Sequence, residues 1–468
     1  MGGIFGVVSE GNCAKALFYG TDYHSHLGTE NAGLAVWDEG FSHTIHSISE
    51  AQFKSRFVGD YKEMTGHMGI GAIDDDSPQP LIVRSKFGTY AIAATGLITN
   101  KDELTRNLLR NDDSFNEMAG GGVNGVELVA KLINRGESIV DGIIRMQRVI
   151  EGSVCLLLMT REGIYAARDR CGRFPLSIGK GICGAESTPS YVAASESSSF
   201  PNLGYALIRS LGPGEIVRLD INGIHVECPP GAEKHVCAFL WIYTGDPSSI
   251  YEGISVENAR ERCGRAMARN DRIEADFVTG VPDSGIGHAI GYAMESGLPY
   301  RRPLVKYTPG YGRSYTPPSQ DIRDLVATMK LCAVRDVIQG SRMVVCDDSI
   351  VRGTQLKNYT IRKLWDNGAR EIHVRPACPP LMFPCRYASS TRTISELASH
   401  RAIRALESER MNPIDEYLDH ASDQYRKMVE WIRKDLDVTS LKYIHIEEMI
   451  AAIGLPEEQL CLFCWRGR

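Results

Sequence analysis

A Pro-Pro-Gly run near the middle of the chain separates two different patterns of apolar residues. Before residues 228–231 the apolar runs are short and typical of strands, at 32–37, 89–94, 153–159 and 190–194, with helical spacing only at 125–135 and 140–150. After the run, helices are predicted over 256–270, 285–296 and 354–367, alternating with strands at 276–280 and 341–346. Because proline and glycine interrupt regular structure, this run is predicted to be a domain boundary.

The two patterns predict two domains of different architecture. A chain of 468 residues exceeds the usual size of one domain, which agrees with a division into residues 1–230 and 231–468. The first part is predicted to be a layered α/β domain in which strands dominate. In the second, helices that alternate with strands predict a parallel sheet wrapped by helices.

Composition and charge restrict the partners and the compartment. A net charge of −6 and a pI of about 6.1 argue against nucleic acid and anionic membranes as partners. We expect a cytoplasmic protein, because no apolar run approaches the length of a membrane span and no signal peptide is readable. In a reducing compartment the 13 cysteines are expected to be thiols or metal ligands rather than disulfides.

The most informative local pattern is an apolar strand at 343–346 that leads into Asp347 and Asp348, then a loop and a helix. Backbone N–H groups of such a loop and a helix N-terminus bind phosphate, and Ser349 and Thr354 offer additional hydroxyl donors. The two carboxylates are suited to ribose hydroxyls or to Mg²⁺. A plain strand, turn and capped helix is the simpler alternative.

The string 347–354, Asp-Asp-Ser-Ile-Val-Arg-Gly-Thr, resembles the phosphoribosylpyrophosphate loop of the type I phosphoribosyltransferases, and in particular that of the amidophosphoribosyltransferases. Cys346 replaces a valine that precedes it in that family. The resemblance implies that phosphoribosylpyrophosphate binds to Asp347, Asp348, Ser349, Ile350, Val351, Arg352, Gly353 and Thr354.

Two further segments extend this resemblance. Residues 281–285 resemble the family's pyrophosphate-side loop, which implies that Ser284 joins Asp347 and Asp348 in a magnesium site. Lys306, Arg313 and Lys330 match the family's catalytic loop, with one inserted residue between Lys306 and the segment 312–315. Cations on such a loop offset the negative charge of departing pyrophosphate.

The resemblance covers nearly the whole chain and implies its fold. Residues 1–230 would form an Ntn-hydrolase-like αββα layered domain, a glutamine amidotransferase domain of type 2. Residues 231–468 would form a type I phosphoribosyltransferase domain with a parallel sheet and a C-terminal cysteine-bearing tail. A homo-oligomer, dimer or tetramer, is also implied.

The glutamine site of the family is represented here by residues that lack its functional groups. Gly2 stands where the family's N-terminal catalytic cysteine is expected, and Leu27 and Gly69 stand where we expect arginines. Thr95 replaces the oxyanion-hole asparagine, and Gly125 replaces an aspartate that receives the substrate's amino group. The resemblance therefore implies that the glutaminase half-reaction is absent.

Four cysteines match the iron–sulfur subset of the family. The pair Cys461 and Cys464 is by itself a weak signal, shared by zinc sites and redox dithiols. With Cys237 and Cys385 it matches the ligand positions of that subset, which implies one [4Fe–4S] cluster. A structural Zn²⁺ on the same four thiolates is the alternative.

The sequence therefore predicts a glycosyltransferase that makes phosphoribosylamine and pyrophosphate from phosphoribosylpyrophosphate, the first step of de novo purine synthesis. Ammonia would come from solution or from a separate donor protein. Two alternatives stay open: an inactive protein that binds phosphoribosylpyrophosphate or nucleotides and regulates a complete paralogue, and a phosphoribosyltransferase with another amine acceptor.

Overall fold

The structure is a computed structural model that describes residues 2–111, 113–119, 121–183, 188–307, 329–388, 393–407 and 414–467. The chain divides into two compact units. The first comprises Met1–Cys237, Ser248–Gly253 and Arg386–Ser389, and the second comprises Ala238–Pro247, Ile254–Cys385 and Ser390–Arg468. Short segments from beyond residue 230 thus belong to the first unit. A single boundary at one position in the sequence therefore does not describe the two units.

The first unit is built on two antiparallel sheets. In order across the first sheet, its strands are Tyr205–Ser210, Ser177–Cys183, Thr188–Ala194, Gly3–Ser9, Met68–Asp74, Asn31–Trp37 and Phe41–Ser47. Across the second they are Gly223–Cys228, Ile216–Asp220, Gly163–Ala167, Gly152–Thr160, Gly88–Ile98 and Leu81–Ser85. Met118–Ala119 pairs separately with Gly122–Val123, and Val236–Cys237 and Ile250–Tyr251 are short strands.

Alternation along the strand Gly3–Ser9 explains the layering of this unit. Phe5 and Val7 belong to an apolar cluster with Leu17 of the helix Ala14–Asp22. The intervening Gly6 faces the second sheet, because a Cβ there would lie 3.1 Å from Leu157 Cδ1. Successive residues therefore pack against a helix on one side and a sheet on the other.

Helices cover the outer faces of both sheets. Three of them, Lys101–Leu109, Gly125–Asn134 and Ile139–Val149, pack through an apolar cluster on the second sheet. Asn124 caps the second of them by accepting from the N–H groups of Val126 and Glu127. The remaining helices of this unit are Ala14–Asp22, Phe53–Phe57, Asp60–Glu63 and the 3₁₀ turn Pro201–Leu203.

The second unit contains a parallel sheet. Its strands in order are Phe277–Gly280, Arg342–Asp347, Glu371–Pro376 and Ser440–Leu441. An antiparallel pair joins Leu304–Lys306 to Leu331–Ala333, and Ile254–Ser255 and Leu460–Cys461 are short strands. Among its described residues, the helices are Leu240–Thr244, Val256–Arg269, Ile286–Ser296, Arg335–Ile338, Leu356–Ile361, Arg362–Asp366, Ile394–Glu396, Ala398–Leu406, Ile414–Leu418, Asp423–Leu436, Ile446–Ile453, Glu457–Gln459 and Phe463–Arg466.

Two glycines bring the helices Val256–Arg269 and Ile286–Ser296 into backbone contact. A Cβ on Gly264 would lie 1.9 Å from the His288 carbonyl oxygen, and one on Gly291 would lie 2.0 Å from the Glu261 carbonyl oxygen. Both helices agree with the sequence prediction. The predicted helix at 354–367 differs, because Leu356–Ile361 has the wider π-type turn before the α-helix Arg362–Asp366 begins.

No helix among the described residues combines the length and apolar character needed to cross a membrane.

We expect Gly454→Ala to lower the free energy of unfolding by about 1 kcal/mol, because Gly454 ends the helix Ile446–Ile453 at φ 93°, where a Cβ is strained. The nearest atom to an added Cβ is Arg262 Nη2 at 3.9 Å, so the effect should be conformational rather than steric. Urea unfolding measures it. Gly40→Ala is the control, since an added Cβ there meets nothing within 4 Å, and equal stability of both variants would contradict the prediction.

Candidate active site and the surroundings of Gly2

Two loops begin at the same edge of the parallel sheet. Gly280 lies opposite Cys346 in the register of neighbouring strands, and Val281 N–H donates to the Cys346 carbonyl at 2.9 Å. Gly285 passes so close that a Cβ would lie 2.4 Å from the same carbonyl oxygen. The segment 281–285 and the aspartates that follow Cys346 therefore meet at this carboxyl edge, the usual ligand position in α/β sheets.

Asp347 and Asp348 are both buried at this edge, with 8% and 6% exposure. Asp348 N–H donates to Asp347 Oδ1 at 3.0 Å, and the hydroxyls of Ser349, at 2.5 Å from Oδ1, and of Ser284 bond to Asp348. Burial raises the pKa of both carboxyls, and repulsion from Asp348 raises the pKa of Asp347 further. A cation would relieve both effects, so Ser284, Asp347 and Asp348 fit a magnesium site.

The loop after the aspartates presents backbone donors. The N–H groups of residues 349–351 donate to no other described residue. The loop is fixed from outside, since Ala398 N–H donates to the Val351 carbonyl at 2.8 Å and Ile350 is buried at 3% exposure. Gly353 adopts φ 76° just before Thr354. These features suit binding of a phosphate group.

The side chain of Arg352 forms an ion pair with a glutamate outside the loop. Its Nη2 lies 2.8 Å from Glu396 Oε2, and both side chains are about half exposed. Arg352 therefore belongs to the loop through its backbone rather than its side chain. Its carbonyl accepts a hydrogen bond from Arg401 Nη2 at 3.1 Å.

Two of the three predicted catalytic cations are described: Lys306 lies in a strand pair, and Lys330 directly precedes its second strand. Lys306 lies opposite Leu331, and the Lys330 carbonyl accepts from Tyr307 N–H at 2.8 Å. Lys306 Nζ lies 2.6 Å from Asp283 Oδ2, an acidic partner that the sequence analysis did not include. Arg313 lies outside the described residues.

In the first unit the structure brings Gly2 and Thr95 together, since Thr95 Oγ1 donates to the Gly2 carbonyl at 2.7 Å. A Cβ built on Gly2 would lie 2.7 Å from the Ile73 carbonyl oxygen and 2.9 Å from Asp74 Oδ1. These separations are shorter than van der Waals contact. The surroundings of residue 2 therefore fit a glycine and would have to shift for any side chain.

Asp74 is the residue that the sequence analysis missed at this site. Its Oδ2 accepts from Ser77 N–H at 3.0 Å, and Ser77 Oγ accepts from Gly125 N–H at 3.2 Å, so Gly125 joins the same group. Burial, followed by repulsion from Asp76, raises the pKa of Asp74 to about 6. The sequence feature that could have indicated Asp74 is the run of aspartates at 74–76, which directly follows an apolar stretch.

The structure places Leu27 at this site but not Gly69. Leu27 is buried beside Gly3, where a Cβ would lie 2.9 Å from Leu27 Cδ1. Gly69 pairs with Val7, whereas Ile73, four residues further along the same strand as Gly69, pairs with Gly3. The assignment of Gly69 to the glutamine site is therefore corrected: strand register places Asp74, not Gly69, beside Gly2.

Backbone hydrogen bonds within the second unit bring together segments that bear or adjoin predicted cluster ligands. Ala238 N–H, directly after Cys237, donates to the Cys461 carbonyl at 3.4 Å, and Phe239 stacks on Trp465 at 4.9 Å. Met382 and Phe383, shortly before Cys385, both donate to the Cys464 carbonyl. In the part of the chain that is described, however, no three His, Cys, Asp or Glu side chains are grouped so as to hold a metal ion.

Known proteins resemble this chain along its whole length. Residues 68–201 match a family described as a glutamine amidotransferase domain. The amidophosphoribosyltransferase of Methanocaldococcus jannaschii is 31% identical to this chain, with 100% of this chain and 97% of the relative covered. That of Bacillus subtilis is also 31% identical, with 100% and 93% covered.

Two solved structures resemble the whole chain at 31% identity. Glutamine phosphoribosylpyrophosphate amidotransferase from B. subtilis, in complex with ADP and GMP, gives a TM-score of 0.83 and covers 100% of this chain and 96% of that chain. A structure described as the allosteric regulatory enzyme of purine biosynthesis gives 0.82, with 100% and 95% covered. The predicted Ntn-hydrolase-like and phosphoribosyltransferase architecture is thereby confirmed. By full-length similarity in sequence and fold, this chain belongs to the amidophosphoribosyltransferase family.

Proposed function

We propose that this protein transfers the phosphoribosyl group of phosphoribosylpyrophosphate to ammonia, and that it does not use glutamine as the nitrogen donor. The observation that carries the transferase part is the pair of buried aspartates beside a loop whose N–H groups 349–351 have no described acceptor. A pair of buried carboxylates with raised pKa values next to an anion-binding loop is suited to a substrate that combines a phosphate, a diol and a bound cation.

Each part of the substrate has a partner in this proposal. The N–H groups of residues 349–351, with the hydroxyl of Thr354, bind the 5-phosphate. Asp347 and Asp348 accept hydrogen bonds from the ribose hydroxyls, and Ser284 bonds to Asp348 and holds it in place. Magnesium, when bound by Ser284, Asp347 and Asp348, would supply positive charge against the pyrophosphate oxygens.

The reaction is a substitution at C1 of the ribose. The bond from C1 to the pyrophosphate oxygen breaks, ammonia forms a bond to C1 through its lone pair, and one of its protons is released to solvent. Pyrophosphate departs with the bonding electron pair. Lys306 can offset that charge once the anion competes with Asp283 for its ammonium group, a contact that is weak because both side chains are half exposed.

The loss of glutaminase activity is proposed from the surroundings of Gly2. Glycine has no nucleophile, Thr95 is bonded to the Gly2 carbonyl, and Gly125 has no carboxylate for the substrate's amino group. Asp74 adds a carboxylate 2.9 Å from where a Cβ on residue 2 would lie. When it is ionised, this carboxylate would repel the α-carboxylate of glutamine rather than bind it.

We also propose that Cys237, Cys385, Cys461 and Cys464 bind one [4Fe–4S] cluster with a structural role. Support comes from the convergence of the backbone segments near residues 238, 382–383, 461 and 464. The cluster takes no part in the transfer step.

Pyrophosphate release from phosphoribosylpyrophosphate and magnesium is expected with ammonium at alkaline pH and not with glutamine. Gly2→Cys is expected to gain no glutamine-dependent activity, because its Cβ collides with Ile73 and Asp74 persists. Gly2→Ala, which carries the same Cβ without a thiol, is the control for steric disturbance. Release supported equally by glutamine would contradict the loss of the glutaminase, and release with neither donor would favour a regulatory role.

Asp347→Asn and Asp348→Asn are each expected to weaken magnesium-dependent binding of phosphoribosylpyrophosphate by roughly 1–3 kcal/mol, because each removes a charge-assisted contact. Isothermal titration calorimetry measures the change. Asp366→Asn, at an exposed carboxylate of the same unit, is the control and should bind like the wild type. If the double variant at 347 and 348 binds as tightly as the wild type, this is not the substrate site.

Protein purified without oxygen is expected to be brown, with broad absorbance near about 400 nm from the proposed cluster. Cys461→Ser should lose the colour and part of the stability of the C-terminal segment, because metal-binding free energy contributes to folding. Cys332→Ser, at an exposed cysteine, should change neither. Colourless protein with one bound zinc would favour Zn²⁺, and protein with neither metal would refute both.

A further inference from the structure

The loop at 349–353 is contacted by side chains from two helices that follow it in the chain. Arg401 lies on the helix Ala398–Leu406, and Asp435 lies on the helix Asp423–Leu436. We propose that Arg401 and Asp435 are positioning residues that fix the geometry of this loop for phosphate binding. The inference rests on the proposed function, which assigns the loop to the 5-phosphate of the substrate.

One nitrogen of Arg401 joins the loop to the second helix. Arg401 Nη2 donates to the Arg352 carbonyl at 3.1 Å and to Asp435 Oδ2 at 2.7 Å. A terminal guanidinium nitrogen carries two N–H groups, so it can serve both acceptors at once. Because Asp435 fixes the direction of one N–H group, the other stays directed at the loop carbonyl. The ring of Trp431, whose centroid lies 5.9 Å from Arg401 Cζ, restricts the guanidinium further.

The other carboxylate oxygen of Asp435 reaches the residue that follows the end of the loop by one helical turn. Asp435 Oδ1 lies 3.0 Å from Lys357 Nζ, and Lys357 N–H donates to the Gly353 carbonyl at 2.9 Å. One carboxylate therefore connects two cationic residues, each of which donates to a carbonyl of the loop.

These contacts act directly beside the proposed phosphate donors. The donors are the N–H groups of residues 349–351, and the carbonyls held from outside are those of residues 351–353. Each peptide unit is planar, so a contact on one carbonyl restricts the torsion angles of the residues next to it. Backbone N–H groups bind an anion together only while their directions converge. Loss of the contacts from Arg401 and Asp435 should therefore widen the distribution of donor directions.

The two residues contribute little to the stability of the unit as a whole. The side chain of Arg401 is 35% exposed and that of Asp435 is 22% exposed, and ion pairs that water reaches are weak. Packing of the two helices depends instead on the apolar cluster that includes Ala402, Met428 and Ile432. Removal of the ion pair should therefore leave the protein folded, and its effect should appear at the loop.

The test compares two ³²P-labelled probes by equilibrium dialysis with the full-length protein. Ribose 5-phosphate requires the loop, whereas pyrophosphate with magnesium requires the metal site. Arg401→Met keeps an unbranched stem beside Trp431 and should weaken binding of ribose 5-phosphate roughly fivefold, with binding of magnesium pyrophosphate unchanged. Asp435→Asn should act in the same direction. The double variant should bind no more weakly than the weaker single variant, because both residues act through one set of contacts.

Hydrogen exchange in the protein without ligands gives an independent measure of the loop. The Ala398 and Lys357 amides donate to carbonyls of the loop, at Val351 and Gly353. Both amides should exchange several-fold faster in Arg401→Met than in the wild type, because local opening of the loop breaks their hydrogen bonds.

Arg433→Met is the matched control. Arg433 lies on the same helix as Asp435, with 29% of its side chain exposed, and has the same kinds of partner. Its Nε lies 2.7 Å from Glu430 Oε2, and its Nη1 donates to the Val438 carbonyl at 2.7 Å. This variant should change neither ribose 5-phosphate binding nor exchange at the loop.

The inference is overturned if the wild type binds ribose 5-phosphate and both Arg401→Met and Asp435→Asn bind it as Arg433→Met does. Equal weakening of both probes would also overturn it, because that result indicates a general structural effect. Asp435→Asn decides if Arg401→Met does not fold. A wild type that binds neither probe would refute the proposed substrate site and this inference with it, whereas unaffected variants of a binding-competent protein count against this inference alone.

Discussion

The parallel register between Phe277–Gly280 and Arg342–Asp347 is the constraint on which the candidate active site depends. Because Gly280 is level with Cys346, the loops that follow both strands leave the sheet at the same edge. Ser284 from one loop can then bond to Asp348 from the other. The site is thus a consequence of how two buried strands pair, and a slip of one residue would separate its parts.

Burial of Asp347 and Asp348 is unfavourable for the protein without ligands. Burial at the end of an apolar strand raises the pKa of both carboxyls, and repulsion from Asp348 raises the pKa of Asp347 further. The surrounding apolar cluster of the second unit, with Met343 and Val345 on the same strand, holds them there nonetheless. Such a site gains most from a bound cation, which agrees with the proposed magnesium-dependent chemistry.

Strand register also determines the surroundings of Gly2. The pairing of Gly3 with Ile73 brings Asp74 against Gly2, so the proposed absence of glutaminase activity rests on more than the lack of a nucleophile at residue 2. An acidic group and a tightly packed backbone now occupy the surroundings of residue 2. Both features support the proposal that nitrogen reaches the transferase site from ammonia rather than from glutamine.

The sequence by itself determined the change of architecture near residue 230, most of the strands and helices, and the loop at 349–354 that follows a strand and two aspartates, because these depend on local periodicity and on contiguous residues. Only the tertiary structure decided that Asp74 rather than Gly69 adjoins Gly2, and that Asp283 lies beside Lys306. The physical reason is the same for both. Each depends on strand register or on contacts between segments distant in the chain, and these cannot be read from the order of residues along one segment.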